Sequence, residues 1–247
     1  MILNRIGKSL LRQDWGAVVI EFAIVVFGIY GGLQVNDWAQ ERDNRVQEQA
    51  ALERLFIETK NGLEQIDIAV DRTLRINQMR RAAVQFADSD APVPDNVLPL
   101  KIGINTLAQF PRLGLVSVAY DELKLTGQLQ LIRSAELRDM ISRFHTDVID
   151  FEALREQFGQ AGSANRFFDA YQRHVIWDYN PESTTTDILL STYNWESLRA
   201  DEHFLFEIIG LLRNQLVAEE VLVQLQGQAQ GLCDALGAAV GRACKSA

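Results

Sequence analysis

The residues of this sequence that could do chemistry are few and lie far apart. Its three histidines, His145, His174 and His203, fall in stretches of helical pattern and lack the spacing of metal ligands. The sequence contains no HExxH motif, glycine-rich phosphate loop or nucleophile elbow. The run Asp201-Glu202-His203 is better explained as the acidic first turn of a helix than as a metal site. We therefore predict no catalytic, cofactor-binding or metal site, and we expect that the protein is not an enzyme.

A short turn between two helical patterns could suggest DNA binding. The stretch DELKLTG, residues 121–127, has the outline of a helix-turn-helix. However, the chain carries 24 Lys and Arg against 33 Asp and Glu, a net charge of −9, and a DNA-binding domain needs a basic face. We expect no nucleic-acid partner.

Aromatic residues are concentrated around the loop DYNPESTTTD, residues 178–187. They are Tyr171, Trp177, Tyr179, Tyr193 and Trp195. Such rings could line a ligand pocket, but we expect them to be buried at one end of a helical domain, which is the commoner arrangement.

The two cysteines, Cys233 and Cys244, lie in the last predicted helix. On a continuous helix they would be about 16 Å apart, whereas the Cα atoms of a disulfide lie within about 7 Å of each other. Gly237 and Gly241 could break the helix and let the two thiols meet. We take free or intermolecular thiols as the expectation and an intramolecular bridge as the alternative.

A long apolar run near the N-terminus indicates a membrane anchor. The stretch from Gly16 to Leu33 contains one charged residue and would be about 27 Å long as a helix, close to the ~30 Å hydrocarbon layer of a bilayer. Trp15 and Trp38 stand at its ends as interfacial anchors. A buried core helix and a cleaved signal peptide are the alternatives. Length and the lack of a small-residue cleavage site favour a single uncleaved span over residues 16–38.

The charges that flank the span bear on its orientation. Three basic residues precede it and three follow it closely, so their numbers are balanced. The free amino terminus adds a positive charge, and the flank of residues 1–15 is short. We expect a cytoplasmic N-terminus, an anchor in a bacterial inner membrane surrounded by membrane lipid, and a bulk domain in the periplasm.

One acidic residue, Glu21, interrupts the apolar run. Helical geometry places it on one face with mostly small residues. The predicted first helix, α1, runs from the anchor at Gly16 to about Ala87, and that face of it, here called the α1 stripe, consists of Ala17, Glu21, Val25, Gly28, Gly32 and Val35. Gly28 and Gly32 are four residues apart, and small residues at this spacing allow two membrane helices to approach closely. We expect a helix–helix interaction here, with a second copy or a partner membrane protein, and a protonated Glu21 hydrogen-bonded across it. The alternative is that Glu21 extends to the lipid headgroups.

The remainder of the sequence predicts long helices separated by loops. Residues 39–88 contain helix formers and no proline, with apolar residues at steps of three and four, and form the stalk and first bundle helix. Residues 89–116 form a proline-rich loop with a short helix, and residues 117–247 form the remaining helices. Gly127 is expected to end one helix in the left-handed conformation, and Ser134 to cap the next.

The last helix, which begins near Asp201, has a regular apolar stripe. Its members follow at alternating steps of four and three: Phe204, Ile208, Leu211, Gln215, Ala218, Leu222, Leu225, Ala229, Leu232 and Leu236. The core stripe of an antiparallel bundle explains it better than a free coiled coil. The predicted fold is all-α: an N-terminal transmembrane helix that continues into a stalk, followed by an up-and-down helical bundle.

Two stretches resemble one bacterial family, the single-pass membrane proteins of the type called domain of unknown function 6090. Residues 20–42, IEFAIVVFGIYGGLQVNDWAQER, are similar to its anchor, which reads Gly-Glu, an aliphatic run with a glycine, and Leu-Gln-Ile-Asn-Asn-Trp. The matching residues are Glu21, Gly28, Leu33, Gln34, Asn36 and Trp38, whereas Ile20 and Asp37 depart from the pattern. A second family pattern, Tyr-x-Glu-Leu-Lys-x-x-Gly-x-Leu, is matched by Tyr120, Glu122, Leu123, Lys124, Gly127 and Leu129. The resemblance implies a helical membrane protein and supplies no activity, substrate or catalytic residue.

Two classes of function are compatible with these features. In the first, the protein is a structural, assembly or interaction component of the membrane. In the second, the bundle is a sensor-like module that binds a small ligand outside the membrane and signals through a partner. We favour the first.

Overall fold

The predicted all-α fold is confirmed by the computed structural model, which describes residues 15–160, 163–176 and 191–244, and their side chains except at 15–18, 160 and 163–165. The chain divides into two units, Met1–Ala50 and Ala51–Ala247. The elements follow in this order: α1 Trp15–Ala87, α2 Leu98–Thr106, α3 Val118–Leu125, a 3-10 helix Gln128–Leu131, α4 Ala135–Gln160, α5 Ser163–Tyr171, β1 Val175–Ile176, β2 Thr192–Tyr193, α6 Trp195–Ala200 and α7 Glu202–Val240.

The predicted helix ends are confirmed at three positions. Gly127, just beyond α3, has φ +72°, in the left-handed region that favours glycine. The Ser134 hydroxyl accepts a hydrogen bond from the Leu137 amide at 3.1 Å and caps α4. The Asp201 carboxylate accepts one from the Phe204 amide at 3.0 Å and caps α7, so this acidic residue starts a helix as predicted.

In the N-terminal unit, no residue of the apolar part of α1 from Val19 to Leu33 is buried. Among the described residues, one helix is long and apolar enough to cross a membrane, and none of its apolar window is buried. A core helix of a soluble domain would be mostly buried, so the exposure disfavours that alternative.

The second unit contains two apolar cores. The first joins residues 51–70 of α1, α3, α4 and residues 222–236 of α7. The second joins the end of α1, α2, α5, α6, the two strands and residues 204–211 of α7. Every member of the predicted stripe on α7 is buried, which confirms it as a core stripe. Within the described residues, α1 and α7 alone contribute to both cores.

The expectation of free cysteines is wrong. Cys233 and Cys244 form a disulfide with a Cα–Cα distance of 5.6 Å. Helix α7 ends at Val240, and Gly241 adopts φ +69°, so the chain turns back on itself. The Arg242 amide donates to the Gly237 carbonyl at 2.8 Å in this turn. Gly237 stays helical and lets the chain approach, because a Cβ there would lie 2.5 Å from the Arg242 carbonyl oxygen.

Helix α4 ends at Gln160, one residue after Gly159, and α5 begins at Ser163; Gly162 lies outside the described residues. The loop at 178–187, with Trp177 and Tyr179, lies outside them as well.

Candidate functional site

The α1 stripe lies on a continuous helix, as its prediction requires. Glu21, Val25 and Val35 are exposed. A Cβ added at Gly28 or Gly32 would meet no atom within 4 Å, so this face is open in the single chain. The side chain of Ala17 is outside the described set. Of the two anchors, Trp38 is exposed, and Trp15 is described only as the first residue of α1.

The motif from Tyr120 to Leu129 begins in α3, and its first residues form a joint between α3 and α1. The Glu58 carboxylate of α1 accepts hydrogen bonds from the amides of Ala119, at 2.7 Å, and Tyr120, at 3.4 Å, and so satisfies the first turn of α3. Arg54 of α1 pairs with Glu122, an exposed ion pair that raises the pKa of Arg54 and lowers that of Glu122. These motif residues therefore hold one helix against another, which is a structural role.

His145 of α4 lies inside this joint. Its ring stacks on Tyr120 with centroids 3.8 Å apart and an interplanar angle of 7°, and only 8% of the residue is exposed. Burial lowers its pKa to about 4; the charge of Asp121 opposes this shift and that of Lys124 adds to it. The imidazole is therefore neutral at neutral pH.

We expect the joint to weaken in acid. The folded pKa lies below the ordinary value of 6.5, so between pH 6.5 and 4 the unfolded chain binds the proton more readily and stability falls as pH falls. From pH 7 to pH 5 this group should cost about 1 to 2 kcal/mol. Urea unfolding of the full chain in detergent, across a pH series, measures the loss. His145→Phe keeps a ring against Tyr120 and cannot titrate, so its profile should be flatter; parallel profiles would contradict the role of His145.

Of the described members of the aromatic cluster, Tyr171 and Tyr193 are buried, as expected, and Trp195 is partly buried. Tyr171 and Tyr193 bring their hydroxyl oxygens to 2.9 Å from each other, and the Asn105 amide donates to Tyr193 at 2.8 Å. Burial raises the pKa of Tyr171 to about 12 and raises that of Tyr193 still further. Trp195, which is partly buried, stacks on Tyr193 at 4.6 Å. The two tyrosine hydroxyl groups therefore form a hydrogen bond with each other inside a packed core.

A serine, a histidine and an aspartate meet at the start of α7. His174, which lies in a turn before β1 and not in a helix, has Nε2 2.9 Å from Asp201 Oδ2 and Nδ1 2.9 Å from Ser197 Oγ. Burial alone would raise the pKa of Asp201, but the hydrogen bonds from His174 and the Phe204 amide lower it below its ordinary value. The nearby Arg173 cation contributes in the same direction.

This arrangement resembles a catalytic triad in composition but differs from one in geometry. In a serine hydrolase, the carboxylate binds Nδ1 of the histidine and the nucleophile faces Nε2, whereas here the two are exchanged. His174 is buried, and Asp201 also caps α7. The three residues therefore tie β1, α6 and α7 together.

A polar layer lies between the two apolar cores. It comprises Asn77, Arg80 and Gln215, which are almost fully buried, and the end of α2. Arg80 donates through Nη1 to Asn77 Oδ1 at 2.6 Å and to Gln215 Oε1 at 2.7 Å. Its Nη2 binds the carbonyls of Thr106 and Gln109, and its Nε binds the Thr106 hydroxyl. All five N–H groups of the guanidinium are thus used.

The amides of the layer are satisfied as well. Gln215 Nε2 donates to the Leu107 and Gln109 carbonyls at 2.6 and 3.1 Å. Asn77 Nδ2 donates to Glu219 Oε2 at 2.6 Å, and Glu219 also pairs with Arg81. Burial lowers the pKa of Arg80 to about 10, an effect that Glu219 opposes, so Arg80 remains a cation.

Sequence reasoning identified Gln215 as the polar member of its stripe but missed its partner Arg80. It also missed the Ser197–His174–Asp201 contacts and the two strands. The chain has an all-α fold with almost no strand, in which a long N-terminal helix is followed by a helical bundle. It matches no family model, no curated protein and no solved structure.

Proposed function

We propose that this protein is a membrane-anchored interaction component. In this proposal α1 crosses the membrane and its stripe binds a second membrane helix, from another copy of the chain or from a partner protein. The proposal rests chiefly on the exposed apolar window of α1, none of which is buried within the described structure. Lipid would cover most of this surface, and the open face at Gly28 and Gly32 would let another helix pack closely. We propose no catalytic role.

We further propose that the N-terminus is cytoplasmic and that the bundle lies outside a bacterial inner membrane. The disulfide between Cys233 and Cys244 supports this placement, because such bonds persist in oxidising compartments and are rare in the cytosol. The resemblance of the anchor and of the motif from Tyr120 to Leu129 to one bacterial family of single-pass membrane proteins supports the anchor itself.

Replacement of the stripe glycines should weaken association. We expect Gly28→Leu and Gly32→Leu to reduce energy transfer between labelled full-length chains in lipid vesicles, because leucine keeps the helices apart. Contacts of this kind contribute about 0.6 to 2 kcal/mol each. Glu21→Gln should be tolerated, since an amide keeps a hydrogen bond, and Glu21→Leu should not.

Gly31 provides the matched control. It is an equally open glycine of the same helix, but it points about 80° away from Glu21, so Gly31→Leu should associate like the wild type. If the wild type does not self-associate, a pull-down in mild detergent should recover a partner that Gly28→Leu loses. Equal association or equal capture by all variants would show that the stripe does not bind a helix.

A further inference from the structure

A cleft in the bundle, here called the arginine cleft, lies between α1 and the chain that follows α2. It has a volume of about 360 Å³, within the range of small-molecule sites. One face of α1, from Gln65 to Arg80, forms one wall, and residues 106–112 contribute the other. All of these residues belong to the second unit, so the cleft is separate from the α1 stripe.

The cleft is positively charged in a chain that is negatively charged overall. Arg72, Arg80 and Arg112 line it, and no Asp or Glu is found among the described residues that line it. Arg72 and Arg112 are exposed and make no ion pair or hydrogen bond to any residue that the structure describes. Two guanidinium groups with unused donors are suited to a carboxylate or a phosphate.

Arg80 contributes positive charge to the cleft, but its N–H groups are not available to a ligand. Its five N–H groups are used within the polar layer, so it cannot bind a ligand without breaking that layer. The Glu219 carboxylate, whose charge acts on Arg80, is bound by Asn77 and Arg81. The buried cation therefore adds a fixed positive field to the floor of the cleft.

Apolar side chains also line the cleft. Ile68 is 68% exposed, and Ile76, Phe110 and Pro111 are partly exposed beside it. A bare inorganic anion would leave these surfaces in water, whereas an organic anion with an apolar body would cover them.

We propose that the arginine cleft binds an amphiphilic organic anion, with its carboxylate or phosphate between Arg72 and Arg112 and its apolar body against Ile76 and Phe110. The site goes beyond the proposed membrane-helix interaction and does not depend on it. Two sources can supply such an anion: a soluble aromatic acid, or a fatty acid derived from lipid.

Calorimetric titration of the full chain in lipid nanodiscs tests the proposal with four probes. They are 2-naphthoate, laurate, the neutral 2-naphthamide and inorganic phosphate; empty nanodiscs are titrated in parallel and subtracted. We expect 2-naphthoate or laurate to bind at least tenfold more tightly than 2-naphthamide and phosphate. Tighter binding of laurate would indicate a lipid-derived ligand, and tighter binding of 2-naphthoate a soluble one.

Arg72→Gln and Arg112→Gln should each weaken binding of the preferred acid by about tenfold, the effect of one charged hydrogen-bonding partner. Arg75→Gln is the matched control, since Arg75 is an exposed arginine one turn away that does not line the cleft. Both Arg72 and Arg112 are exposed, so their variants should remain folded and weaker binding should report the lost contact. A thermal melt of each variant checks this. Absence of binding, binding of the amide equal to that of the acid, or equal loss in Arg75→Gln would overturn the proposal.

Discussion

Replacement of Arg80 by methionine should lower the free energy of unfolding by about 3 to 5 kcal/mol. Methionine fills much of the same volume but offers no donor. The carbonyls of Thr106 and Gln109 and the side-chain oxygens of Asn77 and Gln215 would lose the guanidinium that they share. Asn77 and Gln215 are fully buried, and an acceptor without a donor is costly there because water cannot reach it. Denaturant unfolding of the full chain in detergent, followed by circular dichroism, measures the loss.

The neighbouring arginine is the matched control. Arg81 pairs with Glu219 at 3.1 Å, but 41% of its side chain is exposed, so Arg81→Met should cost about 1 kcal/mol or less. Arg80→Lys should fall between the two, since an ammonium keeps the charge and has three donors instead of five. If Arg80→Met were as stable as Arg81→Met, the polar layer would contribute nothing measurable to stability.

Loss of the disulfide should cost about 3 kcal/mol. The bridge closes a loop with a sequence separation of 11, and a loop of that size lowers the entropy of the unfolded chain by roughly this amount. The double variant Cys233→Ser, Cys244→Ser should therefore unfold at lower denaturant concentration than the oxidised wild type. Reduced wild type should match the variant, and reductant should leave the variant unchanged. Equal stability of all forms would contradict a stabilising bridge.

The same pair of cysteines reports the location of the bundle. If the bundle lies outside the cytoplasm, cells quenched with acid and then denatured should yield cysteines that react with an alkylating reagent only after reduction. Cysteines that react without reduction would indicate a reducing compartment and contradict the proposed periplasmic placement.

The helices and their buried faces could be predicted from the sequence because both follow from local periodicity. The stripe on α7 repeats over ten positions, and a proline-rich segment marks the end of α1. The cysteine prediction failed for an equally local reason. It extended a straight helix to Cys244, whereas the positive φ of Gly241 reverses the chain four residues after Gly237.

The polar contacts between helices could not be predicted in the same way. Periodicity indicates that Gln215 faces the core, but it does not identify a partner 135 residues earlier in the chain. The arginine cleft poses the same problem, since Arg72 and Arg112 come from different elements. The α1 stripe is different, because all of its members lie within five turns of one helix, so local periodicity alone was enough to propose it.

The polar layer also determines which alignment of α1 and α7 is favoured. A heptad stripe repeats itself, so sliding α7 by seven residues, about 10.5 Å, would preserve most apolar contacts. Such a slide would bring Ile208 or Leu222 to the place of Gln215 and remove one of the acceptors of the Arg80 guanidinium, Gln215 Oε1. That misalignment costs about 1.5 to 3 kcal/mol, although its apolar packing is nearly as good. A single glutamine in a long apolar stripe thus selects one register of the two long helices. The other registers have nearly the same hydrophobic contacts but lack this hydrogen bond.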